Sequence, residues 1–316
     1  MSVLGALPKR VDVYEVGPRD GLQNELRTLA TADKARLIEA LIAAGERRIE
    51  VSSFVSPRWI PQLADADKLL AMLPRRPDVS FTALVPNVKG LERARAAGLT
   101  EAAVFLSVTE AHSKKNINKT VAEAVSAARE VAQGAREAGM RVRCYLSTVW
   151  GCPYEGRVPV ARVVEVVKQI ADIGLYQLSL GDTIGIGTPN QTAEIVEAVS
   201  KLLPMEQLAL HLHDTRGTAL ANALVGLQLG VTTFDSSIGG LGGCPYAPGA
   251  AGNLATEDLV FMLHGMGVET GIDLNRLVEA GELAQELIGR KLAGKYLQAA
   301  LGEREKQAAR ARAAAD

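Results

Sequence analysis

The chain has 316 residues, 47% hydrophobic and 22% charged, with a formal net charge of −1. Such proportions suit an ordinary globular enzyme, and the near-neutral balance argues against a nucleic-acid or membrane-surface protein. The length fits two ordinary domains or one α/β barrel with extensions, and no apolar run reaches the ~20 residues of a membrane helix.

The N-terminal stretch MSVLGALPKRVDVYEVG is too short and too weakly apolar for a signal peptide. The three cysteines, Cys144, Cys152 and Cys244, are therefore expected as free thiols in a reducing cytosol.

Eight short β-branched runs follow, at 11–17, 47–54, 80–86, 101–109, 141–149, 175–183, 207–215 and 231–240. Segments with helical period separate them. TADKARLIEALIAAG puts Leu37, Ile38, Leu41 and Ile42 on one face, with Thr31 at the expected N-cap and Gly45 at the C′ position. Strand alternating with helix eight times, over short connections, predicts parallel strands joined by crossovers. The expected fold is α/β, a single (β/α)8 TIM barrel over residues 1–316 with additional helices after about residue 255. An open doubly wound sheet is the alternative. The Ala- and Arg-rich end, LGEREKQAARARAAAD, forms a helix only if docked.

A barrel carries its active site at the C-terminal ends of its strands. The first strand runs into GPRDGLQNE, with Arg19, Asp20 and Gln23; the second carries Glu50; the sixth ends at Asp182. The seventh ends in His211-Leu-His213-Asp214, half of the chain's four histidines. Residues i and i+2 of a strand share a face, so His211 and His213 project together. Two imidazoles at a strand end, with Asp20 across the mouth, suit one metal ion; two separately hydrogen-bonded core histidines are the competing reading. Mixed nitrogen and oxygen donors fit Mg²⁺, Mn²⁺, Fe²⁺ or Zn²⁺ alike. Zinc hydrolases built on barrels carry His-x-His on the first strand and need more histidines. Here only His112, placed in a loop, and His264 remain.

Arg19 and Asp20 alone would pass for a surface ion pair. Glu50 and Asp182, on buried strands, require partners or a function, because buried carboxylates are costly. Residues 237–253 hold six glycines and two prolines in seventeen positions, with no GK[ST] to make a phosphate loop. That segment reads as a lid carrying Cys244 toward the site. Cys144 is expected in the core, and Cys152 receives no role. The basic stretch TEAHSKKNINKT is expected as a loop at the catalytic end, either solvated or facing an anionic ligand.

GPRDGLQNE, IEVSSFVSPRW, LGDTIGIGTP, LHLHDTRGTALAN and GGLGGCPYAPGAAGNLATEDLV together resemble the 3-hydroxy-3-methylglutaryl-CoA lyase family, from about residue 10 to residue 290. The first motif is shared with a wider superfamily of barrels working on metal-bound enolates, and Glu15 stands at its acidic first position. The resemblance implies retro-Claisen cleavage of 3-hydroxy-3-methylglutaryl-CoA to acetyl-CoA and acetoacetate. It implies Mg²⁺ or Mn²⁺ on Asp20, His211, His213 and Asn253, Arg19 on the thioester oxygen and Cys244 as the catalytic thiol. Glu50 and Asp182 match supporting residues, and Gln23 joins Arg19 as a substrate-binding candidate. His211 and Cys244 both remain candidates for protonating the enolate carbon. Expected partners are a small acyl-CoA substrate and a second copy of the chain, in the cytoplasm. A lyase for a longer branched 3-hydroxyglutaryl-CoA, an aldolase or condensing synthase, and a silent CoA-ester-binding barrel are the other readings. The intact residue set argues against the last.

Overall fold

The computed structural model describes residues 5–242 and 252–314. Its barrel strands are β1 (Asp12–Glu15), β2 (Arg48–Ser53), β3 (Ser80–Leu84), β4 (Glu101–Ser107), β5 (Arg141–Ser147), β6 (Gln177–Asp182), β7 (Leu208–Leu212) and β8 (Thr233–Ser236), and a separate two-stranded pair joins Gly151–Cys152 to Gly156–Arg157. The barrel strands close in parallel in the order β1-β8-β7-β6-β5-β4-β3-β2. The eight expected strands are its staves. Strand β1 pairs with β8 on one side and, through Glu15 and Ile49, with β2 on the other, which excludes the open sheet.

The helices are α1 (Thr31–Ala44), α2 (Ala66–Met72), α3 (Val88–Ala96), α4 (Glu110–Ile117), α5 (Val121–Glu137), α6 (Val160–Ile170), α7 (Pro189–Val199), α8 (Ala219–Gln228), α9 (Thr256–Gly265), α10 (Leu274–Ile288) and α11 (Lys295–Ala313). No helix among the described residues is long and apolar enough to cross a membrane.

Strand periodicity sorts the wall into two faces. Along β5, Cys144 and Leu146 join the apolar cluster beneath the helices, while Arg143 and Tyr145 turn into the barrel. Along β7, Leu208, Leu210 and Leu212 do the same on the outside. The barrel interior is polar and aromatic rather than aliphatic. Arg143 donates to Gln177 and Asp235, Gln177 to Thr233, and Tyr14 to Thr82. These buried groups are tolerated because neighbouring staves supply them with partners.

Three expectations need adjustment. Helix α1 begins at Thr31, with Ala30 in the cap position; the Thr31 hydroxyl instead donates to Asp65 at 2.7 Å. Gly45 does end the helix, with φ of 109°, and a Cβ there would stand 2.4 Å from the Gly271 carbonyl oxygen. The stretch expected as a basic loop is mostly α4. Glu110 in its first turn and Lys114 and Lys115 in its last complement the helix dipole, and Asn118 ends it in the left-handed region. His112 is therefore a helical, buried residue, with Nδ1 2.7 Å from the Ser107 hydroxyl. Helix α11 docks through Leu297 and the stacking of Tyr296 on Phe261, and beyond residue 304 it is exposed.

Candidate active site

The β1 strand runs into a wide π-type turn over Gly17–Gly21, in which the Val16 carbonyl accepts from both Asp20 and Gly21. Such turns recur at functional sites because they re-aim side chains. Glu15 organises the turn: one carboxylate oxygen accepts from the Gly17 and Ile238 amides, and the other from the Thr256 hydroxyl. A Cβ at position 17 would sit 2.5 Å from that carboxylate, so only glycine fits. Burial raises the Glu15 pKa to about 7 despite those hydrogen bonds.

The turn delivers Arg19 and Asp20 to a cavity of roughly 410 Å³ at the C-terminal mouth of the barrel. Arg19 donates from Nε to Glu50 at 2.6 Å and from Nη1 to Asp20 at 2.6 Å. Burial alone would raise the Asp20 pKa, but Arg19, then His211 and His213, hold it well below the usual carboxylate range.

His211 and His213 lie on one face, as their spacing requires, and their Nε2 atoms are 3.3 Å apart. His211 Nε2 is 3.9 Å from Asp20 Oδ2. One donor atom each from Asp20, His211 and His213 falls within a 4.8 Å span. Two nitrogens bound at right angles to one ion at about 2.1 Å stand about 3 Å apart, so the pair has the spacing of shared ligands. Burial, followed by the neighbouring His211, lowers the His213 pKa to about 4, and its Nδ1 is buried without a partner. A neutral imidazole is the form that ligates metal. Asn253 arrives by a backbone bridge to His213, while the Leu254 amide donates to the Leu212 carbonyl. The Asn253 amide then donates to Asp20 Oδ2 at 2.8 Å. Asp214 has another task, capping α8 at the Ala219 amide and holding Lys295 of α11.

Gln23 lines the cavity with its side-chain oxygen buried and unpartnered, as a ligand contact would leave it. Glu50 also reaches the site: one oxygen binds Arg19 and the Tyr145 hydroxyl, and the other has no partner. Its pKa is raised by burial, with Arg19 opposing. Asp182 is not brought in. It sits on the outward parity of β6, accepts from the Ile186 and Gly187 amides at 3.1 and 2.8 Å, and shapes the loop into α7. Cys244 lies outside the described residues. Cys144 is core, and Cys152 is buried with the Thr109 hydroxyl on its sulfur.

Five contributors are not singled out as site residues by the sequence. Tyr145 holds Glu50, Asp235 touches His211, Arg143 grips Asp235, and Trp59 and Phe105 wall the cavity. For Arg143, Tyr145 and Asp235 the signal was alternation, as RVRCYLS and TTFDSS set polar residues two apart on the inner face. Beyond Trp59 and Phe105 a second space of roughly 240 Å³ adjoins the first, sharing Val55, Asn116 and Ile117 as walls.

A closed (β/α)8 barrel with a carboxylate, two histidines and an arginine at the strand ends defines a barrel enzyme with a candidate metal centre. The chain belongs to the HMGL-like family, whose model matches residues 10–284. It is 50% identical to the mitochondrial hydroxymethylglutaryl-CoA lyase of Mus musculus, over 94% of this chain and 92% of the mouse chain. The hydroxymethylglutaryl-CoA lyase structure from Pseudomonas aeruginosa superposes with a TM-score of 0.92 at 46% identity, covering 94% of this chain and 99% of that one. An HMG-CoA lyase from Acinetobacter baumannii, solved with coenzyme A and 3-methylmalate, gives 0.88 at 36% identity, over 95% and 96% of the two chains.

Proposed function

We propose that this chain is a carbon–carbon lyase that cleaves 3-hydroxy-3-methylglutaryl-CoA to acetyl-CoA and acetoacetate, with Mg²⁺ or Mn²⁺ as its metal. The observation that carries the reading is the convergence of Asp20, His211 and His213 beside Arg19 in one cavity. The curated relatives that share about half of the sequence support it.

Asp20, His211 and His213, with Asn253 beside them, would hold the divalent ion, and the chemistry it would supply there is a lowered pKa for the substrate's tertiary hydroxyl. The chain's own groups do the rest. Transfer of the hydroxyl proton to a general base lets the C2–C3 bond break, making C3 a ketone and sending the electron pair into a thioester enolate. Arg19 is fixed by Glu50 and Asp20, and Nη2 is left for that enolate oxygen. A guanidinium stays charged, so it stabilises the oxyanion and does not donate the proton. The enolate carbon then takes a proton, which we assign to Cys244 on the glycine-rich segment, a thiol being able to titrate near neutrality. Gln23 contacts the acyl group, and the adjoining apolar space past Trp59 accommodates part of the coenzyme A arm.

The test is acetoacetate release from 3-hydroxy-3-methylglutaryl-CoA by chelator-stripped protein, with and without Mg²⁺ or Mn²⁺. Metal-dependent release is expected, and Arg19→Met should lower kcat by about 10³ or more. Absence of release from folded protein with either metal overturns the substrate assignment and directs the assay to larger substituents on C3.

A further inference from the structure

We propose that Asp235 is a positioning residue that fixes His211 as the Nδ1–H tautomer and so turns the Nε2 lone pair toward the metal centre. Asp235 stands opposite His211 in the β8–β7 pairing. Its Oδ2 lies 3.2 Å from His211 Nδ1 and accepts the Ser179 hydroxyl at 2.7 Å. Its Oδ1 is bound by Arg143 Nη2. Arg143 is itself immobilised: fully buried, it donates from Nε to Gln177 at 2.8 Å and lies 3.9 Å over the Tyr14 ring and 4.7 Å over that of Tyr145. The carboxylate is thus clamped from two staves and cannot rotate away from the imidazole.

An ionised carboxylate only accepts hydrogen bonds, so a neutral imidazole beside it places its proton on the facing nitrogen. The opposite nitrogen then carries the lone pair. Carboxylate–histidine pairs of this kind orient metal ligands and raise their basicity. His213 has no equivalent, because its Nδ1 is buried without a partner. In the metal-free protein the 3.3 Å Nε2–Nε2 contact then requires the proton on His213. One histidine is set by the fold, and the other is left to adapt when an ion arrives. The metal half of this inference rests on the proposed role of Asp20, His211 and His213, whereas the tautomer half does not.

The experiment uses the full chain, stripped of metal and labelled with ¹⁵N-histidine, in a His112→Gln, His264→Gln background that leaves only the two site histidines. Long-range ¹H–¹⁵N spectra should show His211 protonated on Nδ1 and His213 on Nε2. In Asp235→Asn, the amide oxygen goes to Arg143 and the NH₂ faces His211, so the His211 proton should move to Nε2. Titration of the metal-free Asp235→Asn protein with Mn²⁺ should give a Kd about 10 to 100 times that of the unsubstituted chain. If Asp235→Asn does not fold, Ser179→Ala, which removes one bond to the same oxygen, should weaken Mn²⁺ binding a few-fold. A proton on His211 Nε2 in the unsubstituted protein overturns the proposal, as does unchanged Mn²⁺ affinity in folded Asp235→Asn. Absence of Mn²⁺ binding in the unsubstituted protein overturns the metal reading instead, and the tautomer still decides the role of Asp235.

Discussion

The inner and outer faces of the barrel wall use buried carboxylates for different ends. Glu50 and Asp182 both lie on barrel strands near the catalytic mouth and both are wholly shielded from water. Glu50 faces inward, where it holds Arg19 and keeps one oxygen unpartnered. Asp182 faces outward, where two backbone amides bind its two oxygens and a loop takes shape around it. A carboxylate with unmet hydrogen-bonding capacity is costly and is retained where a ligand or reaction needs it. One whose bonds go to its own loop contributes stability. The same residue type in the same kind of sequence context therefore has opposite roles, and strand parity decides which.

Two substitutions test that division. Glu50→Gln keeps the shape but removes the charge that steers Arg19. Its kcat should fall by about 10² to 10³, with little change in melting temperature. Asp182→Asn should do the reverse, since an amide can accept from only one of the two backbone groups and opposes the other with its NH₂. We expect a loss of about 1–3 kcal/mol in denaturant unfolding, with kcat of the folded fraction within roughly threefold. Should Asp182→Asn lose turnover without losing stability, the inside–outside assignment fails.

The smallest effect lies behind the wall, where Glu15, Glu46 and Glu257 are all buried. Burial raises the Glu257 pKa to about 8 and that of Glu15 to about 7, and pushes Glu46 up as well. Glu46 senses both other carboxylates, with Arg47 opposing. The folded chain therefore holds protons that the unfolded chain has released above its ordinary carboxylate range. By linkage this contribution is complete below about pH 4.5 and is lost as pH rises through 7 to 8. Glu257→Gln still accepts from the Gly239 amide but cannot titrate. Its melting temperature should match the unsubstituted protein near pH 4.5 and exceed it at pH 9. Parallel curves across that range would show that Glu257 carries no such proton.

How much of this was legible in the sequence differs by residue. The eight staves were, because β-branched runs alternating with helical periods admit few topologies. The pairing of His211 with His213 was, because a two-residue period needs no tertiary information. Asp20 and Arg19 were legible as strand-end residues, once a barrel was expected. The α4 helix was not: TEAHSKKNI is polar, and it becomes helical through its charge placement, the Asn118 terminus and Glu155, which accepts from the Ala111 amide across the mouth. Asp182 looked like Glu50 because burial is readable from apolar neighbours, whereas the direction of a side chain depends on barrel register.

The sequence by itself determined the barrel, its order of elements and the two-histidine corner, because these follow from local periodicity and from residue types that lie close along the chain. Only the tertiary structure decided that Asn253 returns to His213, that Tyr145 and Glu50 hold Arg19, and that Arg143 clamps Asp235 against His211. Those contacts join residues 24 to 95 positions apart along the chain. Their geometry depends on closure and stagger of the whole barrel, which no local stretch encodes.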